Sequence, residues 1–163
     1  MQEPHFEGQT TRFDTRAGLE AQFGACLAVA RTRLDLFDPD FAVFPLGDGE
    51  AVGALRNFVK QGGLLRLAMH TPEHIERHYP RFLRLLRDYS HAIECRATPK
   101  TLRGLTDSFC IVDDVHVLRR FHSAHMRGEA AFSSPDAVDV PRHRFDAIWL
   151  ETKPVLQSTR TGL

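Results

Sequence analysis

The sequence predicts an α/β protein whose mixed β-sheet is flanked by helices. Three observations carry that prediction. Short apolar runs alternate with amphipathic segments of helical period through the first hundred residues. Glycine and Asp-Pro signals separate them, and two further strand-like runs flank an Asp-Asp turn near residue 113. Such alternation produces parallel strands joined by crossover helices, and a late hairpin makes the sheet mixed. A length of 163 residues suits one domain. The expected layout is a flexible N-terminus over 1–14, one α/β domain over 15–151 and a flexible, polar tail over 152–163.

Thr15 offers a cap to a helix over Arg16–Arg31, whose apolar positions Leu19, Phe23, Leu27 and Ala30 recur at three and four. Leu34–Phe37 reads as a short strand stopped by Asp38-Pro39-Asp40. Gly49–Gln61 is a second helix with Val52, Leu55, Phe58 and Val59 inward, ended by Gly62-Gly63, and Leu64–Met69 is a buried strand. Thr71-Pro72 opens a longer helical region with Thr71 as cap, which Pro80 should kink or split. Ala92–Ala97 is a third strand; Ser108–Val112 and Val115–Arg120 are two antiparallel strands around Asp113-Asp114. Residues 121–140 read as loop, with Ala130–Phe132 as a candidate edge strand. Val140-Pro141 then opens a last helix with Phe145, Ile148 and Trp149 inward.

Composition bounds the function from outside. Lysine plus arginine (21) balances aspartate plus glutamate (21), without the basic excess of a nucleic-acid binder. A basic stretch (Arg77, Arg81, Arg84, Arg96, Lys100, Arg103) has no interleaved aromatics to stack bases, which argues against nucleic acid as partner. Cys26, Cys95 and Cys110 lie far apart without a CxxC, as buried small hydrophobes of a cytoplasmic protein would. No apolar run approaches the roughly 20 residues of a membrane span, so no membrane role is expected. Nucleotide-binding glycine loops and the serine-hydrolase elbow are missing, and no cofactor is implied.

In open α/β sheets, ligands bind beyond the carboxyl ends of the strands. That rule selects Asp38 and Asp40, His70, Arg96 to Thr98, and Asp113-Asp114. The same residues also read as turn-makers (Asp38, Asp113) and a helix cap (His70). His74 and His78 share a helix face, but two imidazoles do not fill a zinc shell, and no metal site is assigned. His116, His122 and His125 cluster in sequence with Asp113, and the alternative reading is a phosphodiesterase or nuclease with a site rearranged around them.

The segment Asp107-Ser-Phe-Cys-Ile-Val-Asp113-Asp-Val-His-Val-Leu-Arg119, followed by Phe145-Asp-Ala-Ile-Trp149, resembles the second part of a phospholipase D-like domain. In that family a strand carries His-x-Lys-x4-Asp, a turn and second strand follow, and an aromatic helix closes the unit. The earlier order of helix, strand, helix, Gly-Gly and strand is similar to the family's opening, so the resemblance spans about residues 16–151, one repeat.

With Asp113 in the aspartate position, Ser108 falls at the lysine position and Thr106 at the histidine position. The family's histidine attacks phosphorus and its lysine binds phosphate; threonine and serine supply neither function unaided. The family's Gly-Ser-x-Asn is replaced by Phe121-His-Ser-Ala-His125. The resemblance therefore implies a bacterial-type degenerate module that binds a phosphate-bearing anion or a protein partner. Small relatives of this kind can accompany acyltransferase domains, and a single repeat is expected to pair as a homodimer. The implied pocket consists of Asp38, His70, Thr106, Ser108, Asp113, Arg120 and His122, with no catalytic residue among them.

Overall fold

The computed structural model describes residues 8–157. The chain runs through β1 (Gln9–Phe13), α1 (Arg16–Val29), β2 (Arg33–Phe37), α2 (Gly49–Lys60) and β3 (Leu64–Met69). It continues with α3 (Glu73–His78), α4 (Pro80–Asp88), β4 (Ile93–Ala97), β5 (Ser108–Val112) and β6 (His116–Arg120). It ends with β7 (Gly128–Phe132), α5 (Pro135–Leu150) and β8 (Lys153–Pro154). The strands form one sheet in the order β1-β7-β6-β5-β2-β3-β4-β8. Strands β2, β3 and β4 are parallel and every other pairing is antiparallel, so the predicted mixed sheet is present.

Side-chain alternation along each strand divides the apolar residues between two layers. Leu34 and Leu36 of β2, Cys110 and Val112 of β5, and Leu118 of β6 pack with α1, α2, α3 and α4. Phe37, Phe109, Ile111 and Val117 face the other way, against Val138, Phe145 and Ile148 of α5. Among the described residues, the sheet thus has four helices on one face and one on the other.

Local chemistry explains most boundaries. The Thr15 side chain accepts from the Gly18 amide at 3.0 Å and caps α1 as expected. That helix stops two residues short of Arg31 because the Asp113 carboxylate captures the amides of Arg31, Thr32 and Arg33. Pro80 divides the predicted long helix: α3 ends at His78, and proline occupies the first turn of α4. Asp113 and Asp114 take φ of 54° and 58°, as a two-residue turn with both central residues left-handed requires.

Four expectations are corrected. Residues 9–13 of the N-terminal stretch form β1, although only Phe13 is buried, because pairing with β7 holds them; residues 1–7 lie outside the described residues. The Ala130–Phe132 segment belongs to β7, which lies between β6 and β1 and is no edge. The last helix begins at Pro135 rather than Val140, with proline in its first turn after Ser134, and Pro141 is accommodated in its interior. Lys153–Pro154 pairs with β4 as β8, so the tail is anchored there, while residues 158–163 lie outside the described residues.

Candidate functional site

The carboxyl ends of β2, β3, β4 and β6 and the amino end of β5 meet at one end of the sheet. By strand alternation, Ser108 and Arg120 point to the four-helix face, and they stand directly opposite each other in the β5–β6 register. Asp38, one residue beyond β2, turns to the same face, where the Ser108 hydroxyl donates to its Oδ1. Its Oδ2 accepts from the amides of Asp40 at 3.0 Å and Phe41 at 2.6 Å. All three side chains are buried. Burial pushes the Asp38 carboxyl above the ordinary aspartate range, and the Ser108 hydroxyl and the two amides only partly offset this.

The loop that leaves Asp38 fills the space beside it. Phe41, Phe44 and Leu46 are fully buried, with Phe41 at a φ of 61°. The Tyr79 hydroxyl donates to the carbonyls of Phe41 at 2.6 Å and Phe44 at 3.2 Å. Gly47 permits this closure, since a Cβ there would meet the Tyr79 ring at 2.3 Å. Burial, with the nearby Asp38 charge, pushes the Tyr79 phenol up to about 12. Arg120 is already engaged: its guanidinium donates to the carbonyls of His125 at 2.7 Å and Ser123 at 2.8 Å.

The remaining predicted site residues do not join this group. His70 has the parity of Arg66 and Ala68 and lies on the α5 face, its ring edge-on to Phe37. Its Nδ1 lies 2.5 Å from Thr98 Oγ and its Nε2 lies 2.7 Å from the Leu105 carbonyl. A carbonyl only accepts, so Nε2 carries the proton and the ring ties three loops together. Thr106 is half-buried in the coil before β5, and Asp107 turns to the opposite face to bind Arg144.

Asp113 closes the hairpin at the far end of β5, because that strand runs antiparallel to β2. Its carboxylate accepts from the amides of Arg31, Thr32 and Arg33 and from the Thr32 hydroxyl, at 2.8–2.9 Å. Partial burial pulls this carboxyl up, but the hydrogen bonds outweigh it and hold the group below its usual value.

The histidines are likewise separated. His116 begins β6, whereas His122 and His125 follow its other end, with rings 6.0 Å apart. In each, Nδ1 accepts a backbone amide, from Ser133, Ala124 and Arg127 respectively, so these rings brace turns. His74 and His78 stand with ring centres 4.6 Å apart on α3. Among the described residues, no three histidine, cysteine or acidic side chains gather as a metal-holding group.

A buried charge cluster escaped the sequence reading. Asp35, in the middle of apolar β2, accepts Arg66 through two hydrogen bonds of 2.7 and 3.1 Å, and Arg142 Nη2 of α5 lies 2.7 Å from its Oδ2. A lone carboxylate within Leu34-Asp-Leu-Phe37 was the available signal, since such a charge is buried only when paired.

The family model for a domain of unknown function, DUF7931, matches residues 15–158. The chain belongs to that family. No curated protein matches this sequence. Among solved structures, Nuc from Salmonella typhimurium, a phospholipase D family member, superimposes with a TM-score of 0.68 at 13% identity. That match covers 93% of this chain and 100% of Nuc. TrmBL2, an archaeal chromatin protein, gives 0.68 at 16% identity over 94% of this chain and 56% of its own. Phosphatidylserine synthase from Haemophilus influenzae Rd KW20 gives 0.62 at 12% identity, covering 93% of this chain and 40% of that one. This DUF7931 chain therefore has the phospholipase D fold.

Proposed function

We propose that this chain is a non-catalytic phospholipase D-like module that acts by binding. The observation behind this reading is Ser108. It stands where the resemblance puts the phosphate-binding lysine, and its hydroxyl is buried and donated to the Asp38 carboxyl. Stabilising a phosphoryl transition state requires cationic or hydrogen-bonding groups aimed at the developing negative charge. Here a carboxyl group, a committed hydroxyl and three buried apolar side chains occupy that end of the sheet, and Arg120 is spent on two carbonyls.

Of the two ligand classes, a protein partner, including a second copy of this chain, suits this end better than a phosphate-bearing anion. An anion would have to approach Asp38 and displace Arg120 from its carbonyls. A partner docking on the outer loops meets neither cost. Hydrolysis of bis(4-nitrophenyl) phosphate, with and without a chelator, tests the non-catalytic reading. The expected rate equals that of buffer, and turnover lost on Ser108→Ala or His122→Ala would overturn the proposal. Light scattering on the intact chain tests the homodimer: a mass of two chains is expected, and one chain would leave only a different protein as partner.

A further inference from the structure

At the opposite end of the parallel strands lies a cleft of about 770 Å3, within the size range of small-molecule sites. Leu86, Ile93, Val155 and Leu156 supply apolar walls, and Arg33 and Arg66 supply cations. Asp35, Glu94 and His91 also line it, so the net charge of the lining does not by itself favour an anion. The hydrogen bonds do. Both oxygens of Asp35 accept the Arg66 fork, with Arg142 Nη2 in ion-pair contact at 2.7 Å, and Glu94 Oε1 accepts Arg96 Nε and Nη2 at 2.9 and 2.7 Å. Arg33 is left over. Its side chain is 43% exposed, and among the described residues its one ion-pair contact is to Asp35 at 3.6 Å, beyond hydrogen-bond reach.

We propose that this cleft binds an organic anion with one acidic head, held by Arg33, and an apolar tail lying along Leu86, Ile93, Val155 and Leu156. A guanidinium carries five donors in a planar fork suited to a carboxylate or a phosphate, which is the chemistry those unspent donors would recognise. The site is distinct from the Ser108 end and holds whether or not the module is catalytic. Arg66 couples it to an optical reporter: its guanidinium lies 5.0 Å from the ring of Trp149, the sole tryptophan of the chain.

The test titrates the full chain with decanoate, decyl phosphate, decanol and inorganic phosphate, all below micelle-forming concentrations. Binding is read from Trp149 emission and from the backbone amide NMR shifts of Ile93, Glu94 and Leu156. Decanoate or decyl phosphate is expected to bind at least tenfold more tightly than decanol, and the stronger of the two names the head group. Arg33→Gln should weaken the anions at least tenfold and leave decanol unchanged. Ser90→Phe, at an exposed position on the rim of the cleft, should remove all binding and keeps the test valid if Arg33→Gln fails to fold. Equal affinity for decanol and decanoate would overturn the anion site. Inorganic phosphate binding as tightly as decyl phosphate would overturn the amphipathic one, and an absence of shifts at these amides would overturn both.

Discussion

Asp38 and Asp113 sit at opposite ends of the β2–β5 pair, and they are the same residue put to opposite uses. Asp113 is partly exposed and accepts four hydrogen bonds that clamp the end of α1 and the start of β2 to the hairpin. Those bonds favour its ionised form. Asp38 is buried, and burial disfavours its ionised form despite three donors. Asp113 therefore performs a folding task, holding three backbone amides at the hairpin end of the sheet. The other end is built around a buried carboxyl and an aromatic plug. The same carboxyl group is thus ionised where hydrogen bonds outweigh burial and disfavoured as an anion where burial wins.

Truncating the plug should have the largest effect. Phe41→Ala is expected to cost about 3–5 kcal/mol in urea unfolding, as deletion of a fully buried aromatic does. A cost below about 1 kcal/mol would mean that the Asp38 end is open rather than packed. Asp113→Ala should cost about 2–3 kcal/mol, since it leaves three amides without their charged acceptor. Ser108→Ala should cost about 1 kcal/mol and raise the Asp38 pKa further, by removing a donor that favours the carboxylate.

The pH dependence sharpens the contrast in sign. The folded pKa of Asp113 is lowered, so its stabilisation is complete above the unfolded value of about 3.9 and is lost as pH falls through the folded value. For Asp38 the folded pKa is raised. Its contribution is complete below about 3.9 and declines as pH rises through the folded value. Stability curves of wild type against Asp113→Asn and against Asp38→Asn, from pH 3 to 8, should therefore differ with opposite slopes. Parallel differences would erase the distinction between the two ends. The smallest expected effect is at His122, where Ala should change stability by no more than about 0.5 kcal/mol because the ring is exposed.

The legible parts of the fold were those with strong local patterns. Strands β2 to β6 announced themselves through apolar runs, and α1 and α2 through period and caps. Strand β1, Gln-Thr-Thr-Arg-Phe, has no apolar pattern because four of its five residues are exposed, and only pairing with residues more than 100 positions away makes it a strand. Strand β7 is short and rich in alanine, and β8 is two residues long. The start of α5 was marked by Ser134-Pro135, but Pro141 read as a stronger punctuation.

At the candidate site, alternation along the strands brings Asp38, Ser108 and Arg120 to one face. The same alternation, counted from Arg66 through Ala68, places His70 on the other. What no local pattern encodes is the Asp38–Leu46 loop, whose burial depends on Tyr79 reaching it from the turn between α3 and α4.

The three cysteines give the fold an internal clock. Cys26, Cys95 and Cys110 are all sealed within the four-helix layer, and burial pushes the Cys95 thiol up to about 12. Only a thiolate reached by solvent reacts readily with an alkylating reagent, and in the folded molecule all three sulfurs are buried. Each labelling event then records an excursion in which the helical layer separates from the sheet and uncovers a cysteine. The rate at which the protein takes up a thiol label in native buffer measures how often that layer opens.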